Sequence, residues 1–298
     1  DSPVGAAWTD QPPPPRAPGV PPPIEIAGEA ASDKRARIAA ALAKSKQDAA
    51  VLTLPESIAW LLNVRGGDVG HVPLPHSFAV LKNDGAVDLF LDARKVTDGL
   101  AAHLGNGVRL RAPEEFGPGL DELAGKTVLA DPGTAAQWVF DRLEAAGATI
   151  VRGADPVLLP KAQKNAAELA GVRAAHVRDG AALTRFLRWV TKEGAAGNVT
   201  EIQACERLED YRRETGALKD LSFDSISGSG PNGAIVHYRV TQKTDRRLAA
   251  GELFLIDSGG QYLDATTDVT RTVALAAPAA EMKARFTRVL QGHIALAT

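Results

Sequence analysis

The stretch "LFLIDSGGQYLDATTDVTRTVAL", residues 253–275, carries two acids at positions where acids are costly. An apolar run, residues 253–256, stops at Asp257, and Asp268 interrupts a β-branched run further on. The first run has no polar side, so the strand it predicts is covered on both faces. An ionised carboxylate at its end loses hydration unless it is paired or bound to a metal. The residues between suffice for a hairpin that sets the acids side by side, where like charges repel. A divalent cation relieves that repulsion through oxygen ligands. A salt bridge to Arg271 or Arg239, or solvation at a turn, does so as well. Spacing alone favours the salt bridge or the turn and leaves the metal open.

His237, in "AIVHYR", falls in a strand predicted over residues 234–240, just ahead of the acids. A strand histidine is commonly packed or solvated. This one is also placed to line the same pocket and donate a hydrogen bond to a substrate carbonyl or a developing oxyanion. The preceding "SGSGPNG" lacks the Lys-[Ser/Thr] ending and following helix of a phosphate loop, so it either makes a turn or lets backbone approach a ligand. His71 and His76, in "HVPLPH", are separated by Pro73 and Pro75, which makes the segment an extended loop rather than one helical face. His293 lies in a terminal helical pattern and reads as structural. Cys205 is the single cysteine, which excludes an intrachain disulfide. It falls on the inward side of a helix with no base nearby, as a core residue does.

The elements that must position these residues fall into two halves. Strands and helices alternate over residues 30–155. Ser32 is placed to cap a helix carrying Ile38, Ala41, Leu42 and Ala49. "AAVLTL" reads as a buried strand, and "PESIAWLL" as a helix with Pro55 in its first turn. "SFAVLKNDGAVDLFLD" is a hairpin around Asn83-Asp84-Gly85. "KTVLAD", a helix over residues 137–143 and "ATIV" follow, an α/β pattern with a mixed sheet. Beyond residue 157 a long helix over 165–192 presents Leu169, Val172, Leu183, Phe186, Leu187 and Val190 as one stripe. Thr200 and Gln203 form a capping box for the next helix, which turns Ile202, Cys205 and Leu208 inward. The strands around the two acids come next, as an antiparallel meander on these helices.

Composition narrows the classes. With 298 residues, 45% hydrophobic and 23% charged, the chain suits a globular protein of about two domains. A net charge of −2 gives no reason for nucleic acid or an anionic membrane as partner. No apolar run reaches the ~18 residues of a membrane span. The absence of an initial Met, the proline-rich "DQPPPPRAPGVPPPIEI" and an unterminated final helix are expected of a piece of a longer protein.

Three segments, "FDSISGSGPNGAIVHYR", "LFLIDSGGQYLDATTDVTRT" and "VLQGHIAL", closely resemble the cytosolic three-domain Xaa-Pro aminopeptidases (aminopeptidase P) of the pita-bread metallopeptidases. "WTDQPPPPRAP", "IAWLLNVRGGDVGHVPLPHSFAVL" and "KNAAELAGVRAAHVRDGAAL" resemble that family's linker, middle domain and start of catalytic domain. The resemblance implies a proline-rich linker at 1–27, an α/β creatinase-N-like middle domain at 28–157, and the first half of an α+β pita-bread catalytic domain at 158–298, truncated. It implies removal of the N-terminal residue from peptides with proline second, by two metal ions, usually manganese, bridged by water or hydroxide. Asp257 matches the acid that chelates one metal, Asp268 the acid that bridges both, and His237 the histidine near the scissile bond. Asp264 matches no ligand. The family's remaining ligands, a histidine in a His-Gly-x-Gly-His segment and two glutamates, match nothing in this sequence. The expectation is therefore weak manganese binding and no hydrolysis by this chain. The parent is expected to be a cytoplasmic homodimer acting on peptides. The rival expectations are another pita-bread hydrolase, of prolidase or creatinase type, and a pita-bread module that binds peptides or proteins without catalysis.

Overall fold

The computed structural model describes residues 5, 7, 8 and 10–298; residues 1–4, 6 and 9 of the expected linker lie outside the described residues. The chain divides into two compact units, Asp1–Glu168 and Leu169–Thr298.

The first unit is built on a six-stranded sheet in the order β4-β3-β2-β1-β5-β6. Its strands are β1 (Ala49–Leu52), β2 (Phe78–Lys82), β3 (Val87–Phe90), β4 (Val108–Arg111), β5 (Thr127–Ala130) and β6 (Thr149–Arg152). β1 runs antiparallel to β2 and parallel to β5, so the sheet is mixed, as the alternating pattern predicted. Side chains alternate across a strand. Ala50 and Leu52 accordingly join a core with Ile38, Leu42, Ile58 and Leu61, while Ala49 and Val51 join another with Phe90, Phe116 and Phe140. Helix Pro55–Leu62 starts on its proline. The β2–β3 turn closes with Gly85 at φ +86°. The proline-rich segment does not hang free at its end, because Gly19 donates to the Lys95 carbonyl and Val20 exchanges two backbone bonds with Arg65, each at 2.8 Å.

Two expectations fail here. Ser32 does not cap a helix; the helix is Ala31–Lys44, and Ala30 stands at its N-cap without a side-chain bond. A one-turn helix, Ile24–Ala27, ends in left-handed Gly28 and fixes the chain's entry ahead of Ser32. The buried Lys34 then ties the helix down, through bonds of 2.8 Å to Asn63 Oδ1 and 3.1 Å to the Trp60 carbonyl. Ala49 is not on this helix but in β1.

In the second unit the long helix Ala166–Ala195 and the helix Glu201–Arg213 pack on a three-stranded antiparallel sheet. Its order is β11-β9-β8, with β8 Ile226–Ser229, β9 Leu253–Ser258 and β11 Val269–Ala274. A two-stranded ribbon, β7 (Asp220–Leu221) with β10 (Gly260–Gln261), lies beside it. Leu183, Phe186, Val190 and Leu208 meet Phe254 and Ile256 in one core, whereas Leu169, placed in the same stripe by its spacing, is exposed. The capping box forms as predicted, with Thr200 Oγ1 accepting from Gln203 N and Gln203 Oε1 accepting from Thr200 N. Burial pushes the Cys205 thiol up to about 11, which disfavours a reactive thiolate, although the residue is half-buried and stands outside the core.

The strand predicted over 234–240 does not form. Gly230–Ala234 is a 3₁₀ turn and the chain then bends through Ile235 to His237. Alternating apolar residues suggested a strand, but the chain turns back at Gly230, φ +55°, before they can pair.

Candidate active-site hairpin

β9 is the central strand, and its pleat decides where Asp257 points. Phe254, Ile256 and Ser258 are buried, while Leu253, Leu255 and Asp257 alternate with them and are half-buried. The expectation of a strand covered on both faces is thus corrected. One face meets the helices, and within this chain the other stays partly open, with Asp257 on it.

The hairpin register places Asp268. Thr270 pairs with Asp257, and every further pair keeps the same register: Gln261 bridges Thr266, and Thr267 N donates to the Gly260 carbonyl at 2.9 Å. Asp268 therefore lies opposite Gly259, two residues from Thr270 and on the Asp257 face by the strand's period of two. Opposite and diagonal positions are the close neighbours of an antiparallel pair. Thr267, wholly buried, holds the approach to Asp268. Its Oγ1 accepts from Gly260 N at 3.0 Å and its carbonyl accepts from Ser222 Oγ at 2.9 Å. A Cβ on Gly259 would sit 1.9 Å from the Thr267 carbonyl and 2.2 Å from Ser222 Oγ, so only glycine allows this approach.

The electrostatics separate the three acids of the hairpin. Asp264, at its tip, pairs with Arg178 at 2.6 Å. The salt bridges foreseen for Asp257 and Asp268 do not form: Arg239 pairs with Asp224, and Arg271 donates to the Thr270 carbonyl at 2.7 Å. Asp257 Oδ1 is buried without any hydrogen-bond partner. An acceptor left unmatched in a protein interior costs about 1–3 kcal/mol. Two unpaired carboxylates on one face, one with an orphaned oxygen, are a donor set suited to a hard or borderline cation. Among the described residues, no group of three or more His, Cys, Asp or Glu side chains is gathered to hold a metal.

The tip is fixed from behind. Tyr262 OH donates to Asp179 Oδ1 at 2.6 Å, and Asp179 pairs with Arg212 at 2.7 Å, both wholly buried. Arg212 also donates to Ser258 Oγ at 3.2 Å, next to Asp257.

The turn ahead of His237 lies over the same face. Gly228 pairs with Leu255, and a Cβ on Gly228 would lie 2.8 Å from Gly233 Cα. The 3₁₀ turn thus folds back onto β8 and over Leu255, on the side of the sheet that carries Asp257. The "SGSGPNG" segment makes a turn, one of its two readings, with Gly233 packed on the Gly228 backbone. His237 follows, exposed, at φ +53°. His71 and His76 lie in a loop of the first unit, as their prolines predicted, and His293 is exposed on the terminal helix Ala280–Ala297.

Two residues of this arrangement escaped the sequence reading. Gly259 was signalled by the doubled glycine after Asp257. Glu201 is wholly buried beneath the turn, although an acid in a capped first turn ordinarily faces water.

Comparison with known proteins gives the family of both units. Residues 10–168 match the Creatinase/Prolidase N-terminal domain and residues 170–298 match Metallopeptidase family M24. The chain is 39% identical over 284 residues to "Probable Xaa-Pro aminopeptidase P" of Laccaria bicolor, covering 92% of this chain and 43% of that protein. It is 39% identical over 279 residues to "Aminopeptidase P2" of Arabidopsis thaliana, covering 83% of this chain and 39% of that protein. The crystal structure of an X-prolyl aminopeptidase from Caenorhabditis elegans, described as a cytosolic enzyme with a di-nuclear active site, superposes with TM-score 0.87 at 32% identity. That match covers 94% of this chain and 47% of the other. An Xaa-Pro dipeptidase from Bacillus anthracis shares the fold at TM-score 0.67 and 20% identity, over 89% of this chain and 70% of the other. The chain thus spans about half the length of the curated relatives it matches.

Proposed function

The chain belongs to the creatinase and prolidase family, its second unit matching metallopeptidase family M24, and from this membership we propose that it is part of an Xaa-Pro aminopeptidase. The observation that carries the reading is the unpaired acid couple, Asp257 and Asp268, with Asp257 Oδ1 buried and unmatched. These two carboxylates are the residues of this chain that would hold metal. Two divalent ions, manganese in the finer reading, would supply Lewis-acid polarisation of the peptide carbonyl and an activated water. His237, exposed just beyond the turn that covers Leu255, would donate its ring N–H to the carbonyl of the scissile bond and stabilise the charge that develops there. The buried Phe254–Ile256 side of β9 and the Asp179–Arg212 pair keep the hairpin rigid, so the carboxylates are held before substrate arrives. The complete protein acts in the cytoplasm as a homodimer on peptides with proline second. The "cytosolic" description of the Caenorhabditis elegans neighbour supports the location.

The test uses the full-length protein loaded with Mn²⁺. Arg-Pro-Pro tripeptides are cleaved and X-Pro dipeptides are not, and Asp268→Asn lowers both bound metal and turnover. Dipeptide cleavage would assign it to the prolidase type. Unchanged metal content and activity in Asp268→Asn would sink the ligand assignment.

A further inference from the structure

The segment that presents His237 is tied to the Thr244 carbonyl through Asn232 and Tyr238, and four groups in and beside it converge on Glu201. This side chain is 0% exposed. Its Oε1 accepts from Ser229 N at 2.7 Å and Asn232 Nδ2 at 3.1 Å. Its Oε2 accepts from Asn232 Nδ2 at 3.0 Å, Tyr238 OH at 3.1 Å and Arg246 N at 3.3 Å. Ser227 Oγ donates to the Glu201 carbonyl at 2.9 Å. Ser229 and Asn232 bracket the start of the 3₁₀ turn, and Tyr238 is the residue next to His237.

Two features make this more than packing. Gly230 and His237 both stand at positive φ, +55° and +53°. For a non-glycine residue that conformation costs roughly 1–3 kcal/mol and persists only where the surroundings over-determine it. Outside the turn, Arg246 clamps the same stretch, donating to the Ser229 carbonyl at 2.9 Å and to Glu252 at 2.8 Å, while Ser229 Oγ donates to Glu252 at 2.9 Å. Every partner of the Glu201 carboxyl is a donor, so an acceptor-only carboxylate satisfies all of them and an amide cannot.

We infer that Glu201 is a positioning residue: its buried carboxylate gathers Ser229, Asn232, Tyr238 and Arg246 so that His237 is held in its left-handed conformation at the end of the turn that covers Leu255. The inference rests on the assignment of His237 under Proposed function. Glu201 touches no substrate and acts through the turn.

The experiment is a double-mutant cycle in the full-length, Mn²⁺-loaded protein, read as kcat/KM on an Arg-Pro-Pro tripeptide. Glu201→Gln places an amide N–H₂ against backbone donors and lowers kcat/KM ~10- to 100-fold, the scale of a misplacement of about 1 Å. Tyr238→Phe removes a single donor beside His237, leaves folding intact and lowers kcat/KM by a smaller factor in the same direction. Both losses shrink below about threefold when His237 is already alanine, because the variants then act on a group that is absent. Bound metal stays at the wild-type level throughout. Losses that multiply in full with His237→Ala, wild-type activity in both variants, or loss of metal would each overturn the inference. Unchanged activity in His237→Ala alone overturns the assignment of His237 itself, and the inference falls with it.

Discussion

At Asp257 one carboxylate oxygen is buried without a hydrogen-bond partner. That oxygen destabilises the metal-free protein, so Asp257→Ala, which removes the orphaned acceptor, should stabilise that form by about 1 kcal/mol, raising the unfolding midpoint by ~2–4 °C. The same substitution should abolish any rise in midpoint on adding Mn²⁺. Asp264→Asn should do the opposite in sign and modestly, since it breaks a partly exposed pair with Arg178 worth under about 1 kcal/mol. Thermal unfolding with and without Mn²⁺ separates the two acids. In the first unit, burial raises the Asp155 carboxyl above its ordinary range, with the Asp131 and Glu56 carboxylates adding to it. A carboxyl raised in the folded state binds its proton more tightly folded than unfolded. Its contribution to stability is therefore present below the unfolded value and lost as pH rises through the raised one. Asp155→Asn should gain stability relative to wild type as pH rises above about 4, seen as a growing difference in urea midpoints. A constant difference would rule out this linkage.

Among elements, the hairpin of β9 and β11 depends on one close approach. A methyl on Gly259 would overlap the Thr267 carbonyl, so Gly259→Ala must push the strands apart at the step that carries Asp268. The expected cost is about 3 kcal/mol, at the upper end for overpacking. Amide exchange should show lost protection at Gly260 and Thr267, with Phe254 in the centre of β9 retaining it. Uniform loss across the sheet would show that the register is not what Gly259 protects. The sequence foretold this hairpin and both helices beneath it, because those elements carry local signals: a capping box, a helical apolar stripe and a run of β-branched residues. It misplaced residues 234–240, whose apolar alternation was outweighed by backbone turning at Gly230 and by bonds to Glu201, far away in the sequence.

At the scale of the whole chain, two acids on one sheet face are a partial donor set. With no third His, Cys, Asp or Glu gathered beside them among the described residues, this chain by itself should bind Mn²⁺ only weakly, with no saturable site below about 0.1 mM, and should cleave no Xaa-Pro peptide. Calorimetric titration and a tripeptide assay check both; measurable cleavage would refute the expectation. The open side of the sheet also bears on solubility. Phe286 and Val289 on the terminal helix are 55% and 74% exposed, and with Leu253, Thr272 and Met282 they line a groove of about 550 Å³. Apolar surface of this kind favours association.

Residue types and spacing by themselves determined the α/β character of the first unit, the two long helices and the acid-bearing hairpin of the second, the strangeness of Asp257 and Asp268, and, through resemblance, the family; they missed β4 and the helices Asp98–Leu104 and Phe116–Asp121. Those are local or pattern properties, written in contiguous stretches such as "LFLIDSGGQYLDATTDVTRT". Only the tertiary structure decided that Arg239 and Arg271 are engaged elsewhere, that β9 has one open face, and that a glutamate in a capped first turn is buried beneath the His237 turn. Each of these depends on which groups meet across long sequence separations, and charge pairing and desolvation are set by those neighbours rather than by residue type.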